Sequence, residues 1–404
     1  MLQLSLEPAS IEASSRLDSF GLACQLSTEK SIFSKRLGFM AGGVPMSDAA
    51  AKSVRSGPVP RILVTGASGR IGGYVLDALK HYRCAIRAVT SRPLTAERGA
   101  DPHVEWVQHD FMRSAPVDHL VAGCDAVLHL AGEVWNIPRM QRVNVEASGA
   151  LARAARHGGI RFFGFTSSIA VYGTPRTAFV SEDAPLLTPE RDVRAEYRGN
   201  TSLRAYGRSK VLAEREIAAE AVGVECVILR PTFVADDNVI RRIVTRRPAL
   251  HFIMGRRHEH LICVEDVAAA LVWFLDRSLR RTTPQTGVET YNLADDQAPQ
   301  VTGAALRRVA YDVSSGSLGR HWWACGPLWL YDLAEALKYG RLSARPTRDP
   351  IYSTAKLYAA GYVRPVGLEA ALVRACRIGA PGAAVPGPEW REVPAASPKD
   401  GHDR

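Results

Sequence analysis

Short apolar runs alternate with amphipathic segments through the middle of this chain. Each run holds three to six residues that are apolar at nearly every position, so a strand built from it would be buried on both faces. The intervening segments, such as 141–155 and 209–221, repeat apolar residues at helical spacing. Strands of this kind need helices on both sides, which predicts an α/β fold around a doubly wound parallel sheet. The predicted strands are Ile62–Val64, Cys84–Val89, Val104–Gln108, Ala126–Leu130, Phe162–Phe165 and Cys226–Leu229.

The pattern is absent at the two ends of the chain. Residues 1–59 mix Ser, Ala and Gly with acidic residues, so we predict a flexible extension rather than a secretory signal or an acid-poor transit peptide. A start codon assigned too far upstream is the alternative, because Met40 and Met46 precede the first predicted strand. Residues 377–404 are rich in Pro, Ala and charge and are predicted to be disordered.

The charge, the apolar runs and the cysteines of the chain argue against several classes of function. The 404 residues carry a net charge of +10, but of the 51 basic residues 8 are Lys and 43 are Arg scattered along the chain, so no nucleic-acid partner is predicted. No run approaches the roughly 18 apolar residues of a transmembrane helix, so we predict no integral membrane segment. The seven cysteines lack any CxxC pair. We therefore predict reduced thiols, no metal site and a cytoplasmic location.

A glycine-rich turn follows the first predicted strand. Gly66, Gly69 and Gly72 are spaced three apart in TGASGRIGG and lead into an amphipathic segment. Bare backbone at such positions permits the tight turn, the approach of a pyrophosphate and close packing of the helix on the sheet. The turn predicts a dinucleotide site, although the same glycines could serve packing alone.

A tyrosine and a lysine four residues apart are the second chemical signal. Tyr206 and Lys210 would share one helix face, where an ammonium can lower the pKa of a phenol and allow proton exchange near neutral pH. A second pair, Tyr352 and Lys356, lies far past the predicted sheet, and we interpret it as coincidental. The predicted strand before Tyr206 ends in hydroxyl side chains at 166–168, at the edge where such sheets bind ligands.

With these motifs the chain resembles the extended short-chain dehydrogenase/reductase superfamily over about residues 61–376. That group contains nucleotide-sugar epimerases and dehydratases, dihydroflavonol-type reductases and 3β-hydroxysteroid dehydrogenases. The resemblance implies a Rossmann domain formed by 60–232 and 262–297, and a smaller α/β substrate-binding domain formed by 233–261 and 298–376. The segments that carry it are TGASGRIG (65–72), Asp110-Phe111, His129–Gly132, Asn144, TSSIAVYG (166–173), YGRSK (206–210), Leu229–Thr232, His260–Val267 and Tyr291–Leu293.

The resemblance also implies roles for single residues. Tyr206 would exchange the proton of the substrate hydroxyl, Ser168 would hydrogen-bond the same oxygen, and Lys210 would hold the nicotinamide ribose while lowering the tyrosine pKa. Ser167 competes with Ser168 and would point the opposite way on an extended strand. The residues implied to contact the cofactor are Gly66, Ser68, Gly69, Arg70, Ile71, Gly72, Arg92, Asp110, Phe111, Leu130, Ala131, Gly132, Tyr206, Lys210 and Pro231.

The end of the second predicted strand bears on the choice of cofactor. NAD-selective folds place an acid there against the ribose hydroxyls, whereas this chain has Thr90, Ser91 and Arg92. Arg92, together with Arg70 in the glycine turn, could pair with a 2′-phosphate. We predict NADP, with NAD as the alternative.

The substrate is predicted to be a small molecule, with two classes open. The resemblance favours a nucleotide-sugar epimerase, dehydratase or reductase, whose diphosphate could be clamped by one of the arginine pairs at 241–242, 246–247 or 256–257, although such pairs more often form a solvated helix face. The alternative is a dihydroflavonol- or 3β-hydroxysteroid-type enzyme of a hydrophobic substrate. Arg230-Pro231 is not followed by the Tyr-Gly-Pro of many sugar enzymes, and an aromatic segment (Trp322, Trp323, 328–339) could wall an apolar pocket.

Three further points stay open at this level. A non-catalytic NADP-binding regulator is a second alternative, although it would not need Ser168, Tyr206 and Lys210 together. His258 and His260 could chelate a metal if extended, but we interpret them as a polar strand edge. The resemblance is also compatible with a homodimer.

Overall fold

The computed structural model describes nine stretches of the chain. All but the last residue of the predicted extension and all but the first residue of the predicted tail lie outside them, as do Trp322 and Trp323. The described residues are 59–94, 102–113, 116–175, 177–187, 200–283, 285–297, 301–313, 325–339 and 349–377.

Seven parallel strands form the central sheet, and all six predicted strands are among them within two residues at either end. These strands are β1 (Arg61–Thr65), β2 (Ala85–Thr90), β3 (Val104–Gln108), β4 (Ala126–His129), β5 (Phe162–Thr166), β7 (Glu225–Pro231) and β10 (Gly287–Leu293). Four short strands pair outside the sheet, β6 (Phe179–Val180) with β11 (Ile351–Tyr352) and β8 (Phe233–Ala235) with β9 (Leu261–Cys263). The order across the sheet is β10-β7-β5-β4-β1-β2-β3, so the direction of winding reverses between β1 and β4.

Helices cover both faces of the sheet, as the apolar strands require. The helices of the described residues, some of which lie beyond the sheet, are α1 (Arg70–Lys80), α2 (Asp118–Val121), α3 (Ile137–Met140), α4 (Ala147–His157), α5 (Thr201–Glu220), α6 (Asp237–Val244), α7 (Pro248–Met254), α8 (Val264–Arg280), α9 (Gly303–Val313), α10 (Leu328–Tyr339), α11 (Ala355–Ala359) and α12 (Gly367–Arg377). A π-helical turn (Gln141–Glu146) joins α3 to α4, and a 3-10 turn (Ile169–Tyr172) follows β5.

Alternate residues of each strand enter two separate cores. Ile62 and Val64 of β1 pack with α1 and α8, whereas Leu63 between them packs with α4 and α5 on the opposite face. The prediction of a doubly wound α/β sheet is confirmed: six of the seven strands contribute apolar side chains to both layers, whereas the edge strand β10 contributes only to the layer of α1 and α8.

Residues beyond the sheet build a third core from α6, β8, β9, α9 and α12. Asp266 at the start of α8 fastens this part, because its carboxylate accepts backbone N–H groups of Val366 (2.9 Å) and Gly367 (2.8 Å) just before α12. Asp295 accepts the next donor, the N–H of Leu368 (2.7 Å). Two buried carboxylates therefore fix where the last helix begins.

The helix that bears Tyr206 and Lys210 is longer than its apolar pattern predicts. It begins at Thr201 instead of Ser209, because the side chain of Asn200 caps it by accepting the N–H of Leu203 (3.1 Å). Its first two turns carry few apolar residues, so hydrophobic spacing alone misses them.

Candidate active site

The glycine turn lies at the carboxyl edge of the sheet, where the winding reverses. Gly66 has a φ of +66°, and a Cβ there would lie 2.7 Å from the backbone nitrogen of Ala131 after β4. A Cβ on Gly72 would lie 2.3 Å from the carbonyl oxygen of Gly66. Gly69 precedes α1 and offers no side chain to cap it. The turn thus combines close backbone packing with a helix N-terminus open to an anion.

Polar atoms surround this turn. Ser68 and Thr90, at the end of β2, share a hydrogen bond of 2.7 Å between their hydroxyls. Thr65 ends β1, and its hydroxyl accepts the N–H groups of Leu130 (3.2 Å) and Ala131 (3.3 Å). These bonds hold the loop after β4 against the glycine turn, so the two segments predicted to contact a dinucleotide lie together.

Tyr206, Ser168 and Lys210 meet at the same edge. The phenol of Tyr206 is hydrogen-bonded to Ser168, which follows β5. Lys210 donates to the carbonyl oxygen of Thr166 (2.8 Å), and its Nζ lies 6.0 Å from the centroid of the Tyr206 ring. A Cβ added to Gly207 would lie 2.3 Å from the carbonyl oxygen of Ala170, so glycine lets α5 pack directly on the 3-10 turn that Ser168 begins.

Ser168 and Ser167 point to different partners, as an extended strand requires. The hydroxyl of Ser167 is buried and donates to Glu214 at 2.5 Å, away from the phenol. Ser168 faces Tyr206 and also accepts the N–H of Ala170 (3.1 Å). Of the two serines, only Ser168 therefore faces the phenol of Tyr206.

The electrostatics of this group differ from the expected lowering of the tyrosine pKa by lysine. Burial raises the pKa of Tyr206 to about 12, and the hydrogen bond from Ser168 opposes that rise. Burial lowers the pKa of Lys210 to about 8, while the charge of Glu214 raises it. Lys210 does not lower the pKa of Tyr206 because its ammonium is turned toward the Thr166 carbonyl and lies 4.5 Å from the Phe165 ring centroid.

A buried ion pair that the sequence motifs did not predict lies behind α5. Arg230 on β7 donates to both carboxylate oxygens of Glu214, at 3.0 and 2.6 Å, and also to the hydroxyl of Tyr172 at 2.8 Å. Tyr172 in turn donates to Asn292 at 2.6 Å. The spacing of Tyr206, Lys210 and Glu214, four residues each, puts all three on one helix face and is the signal that could have revealed the third.

A second buried network fixes the loop after β4. Asn144, in the π-helical turn, donates to the carbonyl oxygen of Glu133 and to the hydroxyl of Ser209, both at 2.8 Å. His129 lies between the hydroxyls of Thr65 (2.6 Å) and Ser148 (2.9 Å). Burial, with the charge of Lys210, lowers the pKa of His129 to about 3, so this imidazole is neutral and serves as a packed hydrogen-bonding residue.

The other predicted cofactor residues are partly assembled here. Phe111 is buried against His129, whereas the half-buried Asp110 accepts the N–H of Met112 at 3.0 Å. The half-buried Ile71 packs on the core beneath α1, and Pro231 is buried at the end of β7. A Cβ on Gly132 would lie 3.4 Å from Nζ of Lys210, which places that loop beside the catalytic helix.

The two arginines predicted to select the cofactor differ in whether other groups of the protein already hold their side chains. Arg70 donates to the carbonyl oxygen of Val234 (3.1 Å) and lies 3.3 Å from the carboxylate of Asp236, so its guanidinium is turned toward β8. Arg92 is exposed, and its backbone N–H donates to Thr90 (3.1 Å). Arg92 thus remains available at the end of β2, whereas Arg70 is held elsewhere.

The second tyrosine–lysine pair and the histidines considered as metal ligands interact with other groups of the protein. Lys356 donates to the carbonyl oxygen of Thr290 (2.9 Å), and Tyr352 is buried, so this second tyrosine–lysine pair does not form a site. His260 lies 2.9 Å from the Asp296 carboxylate, and in the described ranges no cluster of three potential metal ligands occurs. The described helices include none that is long and apolar enough to cross a membrane.

Two arginines of the predicted diphosphate clamps already form ion pairs. Arg246 forms a two-pronged ion pair with Glu259, and Arg257 pairs with Asp349 at 2.6 Å. One arginine of the 246–247 pair and one of the 256–257 pair therefore already bind a carboxylate, whereas Arg241 of the third pair donates to the amide oxygen of Asn238 at 2.9 Å.

A comparison with protein families settles the class of the chain. Residues 62–294, which include the glycine turn, the tyrosine and the lysine, match the NAD dependent epimerase/dehydratase family. The chain belongs to this family. The resemblance seen in the sequence is confirmed.

Several curated relatives of this family member have different substrates in their names. UDP-glucose 4-epimerase of Azospirillum brasilense is 33% identical over 219 residues, covering 49% of this chain and 58% of that protein. Cinnamoyl-CoA reductase 1 of Oryza sativa is 26% identical over 245 residues, covering 56% and 71%. Ceramide reductase of Caulobacter vibrioides is 26% identical over 220 residues, covering 53% and 60%. The chain thus spans less than two thirds of the first and third of these relatives.

Two solved structures share the fold. UDP-N-acetylglucosamine 4-epimerase of Methanobrevibacter ruminantium has a TM-score of 0.57 at 19% identity, covering 80% of this chain and 98% of that one. MoeE5 in complex with UDP-glucose and NAD has a TM-score of 0.53 at 22% identity, covering 79% and 99%.

Proposed function

We propose that this epimerase/dehydratase family member catalyses nicotinamide-linked hydride transfer at a secondary alcohol or ketone, with Tyr206 as the proton-exchanging residue. One observation carries the proposal: the Tyr206 phenol is hydrogen-bonded to Ser168 at the carboxyl edge of the sheet, with the Lys210 ammonium one helical turn away. An alcohol releases hydride readily only as its proton leaves, so both transfers must occur at one carbon.

The fit of a dinucleotide rests on the cradle around the glycine turn. Gly66 and Gly72 let the turn pack tightly on the loop after β4 and on α1, and Gly69 leaves the N-terminus of α1 without a side-chain cap, which supports a pyrophosphate at the start of α1. In the described part of the chain, the buried hydroxyls of Thr166 and Thr232 at the same edge have no hydrogen-bond partner, which supports a polar ligand above β5 and β7. When bound there, the nicotinamide would supply the hydride donor or acceptor.

The protonation states of Tyr206 and Lys210 before any ligand binds favour the reduction of a carbonyl group. With a pKa of about 12, Tyr206 is a neutral phenol at neutral pH and can donate its proton to a carbonyl oxygen. Ser168 would donate to the same oxygen and hold it in place. Lys210, with a pKa of about 8, is mostly protonated near neutral pH; it donates to the Thr166 carbonyl oxygen and would hold the nicotinamide ribose.

For the cofactor we propose NADP, selected by Arg92 instead of Arg70. Arg92 is exposed beside Thr90, and the described end of β2 carries no acid that would repel a 2′-phosphate. The ion pair of Arg70 with Asp236 supports assigning it to the loop at β8. NAD is the alternative, because solved relatives of similar fold contain it.

For the substrate we propose a nucleotide sugar. The support is the 33% identity to UDP-glucose 4-epimerase over 219 residues. A hydrophobic ketone is the second candidate, favoured by the ion pairs that occupy Arg246 and Arg257 and by the relatives named for cinnamoyl-CoA and ceramide. A UDP-sugar should raise the melting temperature of the protein if the first holds, because a ligand of the native state stabilises it.

Tyr206→Phe is the test of the catalytic assignment. We expect turnover with nucleotide sugars or ketones to fall by about 10² to 10⁴, the usual contribution of a general acid–base residue, because only the hydroxyl is removed. NADPH binding, measured by the quenching of protein fluorescence, should persist. Unchanged turnover would exclude Tyr206 as the proton donor, and binding of NADPH without turnover in the unmutated protein would favour a regulator.

A further inference from the structure

One charged residue of the glycine turn reaches a strand that lies outside the central sheet. Arg70 is the first residue of α1. Its Nη1 donates to the carbonyl oxygen of Val234 on β8 at 3.1 Å, and its Nε lies 3.3 Å from the carboxylate of Asp236, which directly follows β8. One guanidinium therefore joins the start of α1, where a pyrophosphate is expected, to the strand that opens the predicted substrate-binding segment 233–261.

Strand β8 begins at the carboxyl edge of the sheet. It follows β7 after Thr232, whose buried hydroxyl has no hydrogen-bond partner in the part of the chain that the structure describes. The N–H of Phe233 donates to the carbonyl oxygen of His260 at 2.7 Å, while the side chain of Phe233 leaves that residue 53% exposed. A substrate whose reacting carbon lies at this edge would therefore be bordered by β8.

Asp236 links β8 to the helix that follows it. One of its carboxylate oxygens accepts the N–H of Val239 at 2.8 Å and so caps α6, and the other faces Arg70. The adjacent Asp237 pairs with Arg374 instead, at 2.7 Å. Holding Asp236 in place therefore fixes both the end of β8 and the start of α6, and the cation that pairs with it within the described ranges is Arg70.

The guanidinium of Arg70 keeps donors for a second anion. An arginine side chain presents five N–H groups in a planar fork. The contacts with Val234 and Asp236 use Nη1 and Nε, whereas Nη2 meets no acceptor among the residues that the structure describes. The side chain of Arg70 is 44% exposed, and an ion pair so open to water adds little stability by itself. Its strength can therefore change when another anion binds nearby.

We propose that Arg70 couples the dinucleotide site to β8, an inference that rests on the proposed function. A pyrophosphate at the start of α1 would accept from the remaining edge of the guanidinium. Arg70 would then be held at both edges and would fix Val234 and Asp236 more firmly. The bound dinucleotide thereby orders the border of the substrate site before the substrate arrives. Arg70 and Asp236 act as positioning residues.

Hydrogen–deuterium exchange tests the coupling without any substrate. With saturating NADPH, the amides of residues 233–239 should exchange about fivefold or more slowly than in the free protein, the lower end of usual coupling between two sites. Asp236→Asn removes the charge that Arg70 pairs with but keeps a side chain that caps α6. It should bind NADPH and lose most of this protection, as should Arg70→Ser. Asp77→Asn, which removes an exposed acid elsewhere on α1, is the matched control and should keep the protection.

Three results would overturn the proposal. If NADPH binds but leaves the exchange of residues 233–239 unchanged, Arg70 does not couple the two sites, while the proposed function stands. If Asp236→Asn and Arg70→Ser speed exchange equally with and without NADPH, the ion pair is only structural. If neither NADPH nor NADH quenches the fluorescence of the unmutated protein, the proposed function falls together with the coupling. Melting temperatures close to that of the unmutated protein confirm that each variant is folded.

Discussion

At the scale of single residues, Glu214 connects the group of Ser168, Tyr206 and Lys210 to the body of the sheet. It accepts from Ser167, the neighbour of Ser168, and from Arg230 on β7, and it lies one turn beyond Lys210 on α5. Its negative charge raises the pKa of Lys210, against the effect of burial. Glu214 therefore acts as a positioning residue that also supports the charge of the lysine.

Replacing Glu214 with Gln tests this role through pH dependence. Lys210 titrates near pH 8 with Glu214 present, so the ammonium is lost above that pH. Without the carboxylate the pKa of Lys210 should fall further, and the alkaline decline of kcat/KM for reduction should move to lower pH. Glu214→Asp keeps the charge and should restore much of the profile. An alkaline limb that stays in place would contradict the electrostatic role.

The choice of cofactor also belongs to single residues. Arg92→Ser should weaken NADPH binding about tenfold or more, since a charge-assisted hydrogen bond contributes about 1.5 to 3 kcal/mol. NADH binding should change little. Arg70→Ser is the matched control and should change the ratio of NADPH affinity to NADH affinity less, because Arg70 is held by Val234 and Asp236. Fluorescence titrations with both cofactors measure the ratio, and an equal loss for NADH would refute selection by Arg92.

At the scale of elements, the site depends on how closely a few backbones approach. Gly72 brings α1 onto the loop of Gly66, and Gly207 brings α5 onto the 3-10 turn after β5. Helical periodicity predicts which face of α1 and α5 is buried, but it does not reveal these distances. Only the packed elements show why a side chain is excluded at each position.

Adjacent glycines on α1 give a paired test. Gly72→Ala should destabilise the protein by about 1 to 3 kcal/mol, the usual cost of overpacking, and weaken dinucleotide binding, because its Cβ would lie 2.3 Å from a carbonyl oxygen. Gly73→Ala meets nothing within 4 Å and should stabilise α1 by about 0.5 to 1 kcal/mol. Urea denaturation measures both. Equal effects at the two positions would argue against the close approach at Gly72.

At the scale of the whole molecule, charged residues tie the segment after the sheet to the sheet itself. Arg374 on α12 donates to Asp237 on α6 (2.7 Å) and to Glu265 on α8 (2.5 Å), so one guanidinium joins three helices. Glu265 is almost fully buried and also accepts from Cys263 at 2.7 Å. The last described helix is therefore tied to α6 and α8 of the same packed body.

Arg374→Met tests this link. Removing the guanidinium leaves Glu265 buried without its cation, and we expect a loss of about 3 kcal/mol in the free energy of unfolding. The exposed pair of Arg142 with Glu146 gives the control, since Arg142→Met should cost about 0.5 kcal/mol or less. Comparable losses at the two sites, measured by urea denaturation, would mean that the buried link contributes little.

Local sequence determined the parts of this protein that depend on neighbours along the chain. Apolar runs determined six of the seven sheet strands, the glycine spacing determined the turn before α1, and the interval of four placed Tyr206 and Lys210 on one helix face. These features follow from local backbone geometry, which a short stretch of residues specifies.

Tertiary structure decided what depends on residues that are distant in sequence. The pairing of Arg70 with Asp236, the attachment of Lys210 to Thr166 and the ion pair between Glu214 and Arg230 arise because strand order brings separate segments to one edge of the sheet. The same packing buries Tyr206 and raises its pKa, where the motif alone predicted a lower value. Burial and long-range pairing determine charge states, and neither is encoded in the spacing of a local motif.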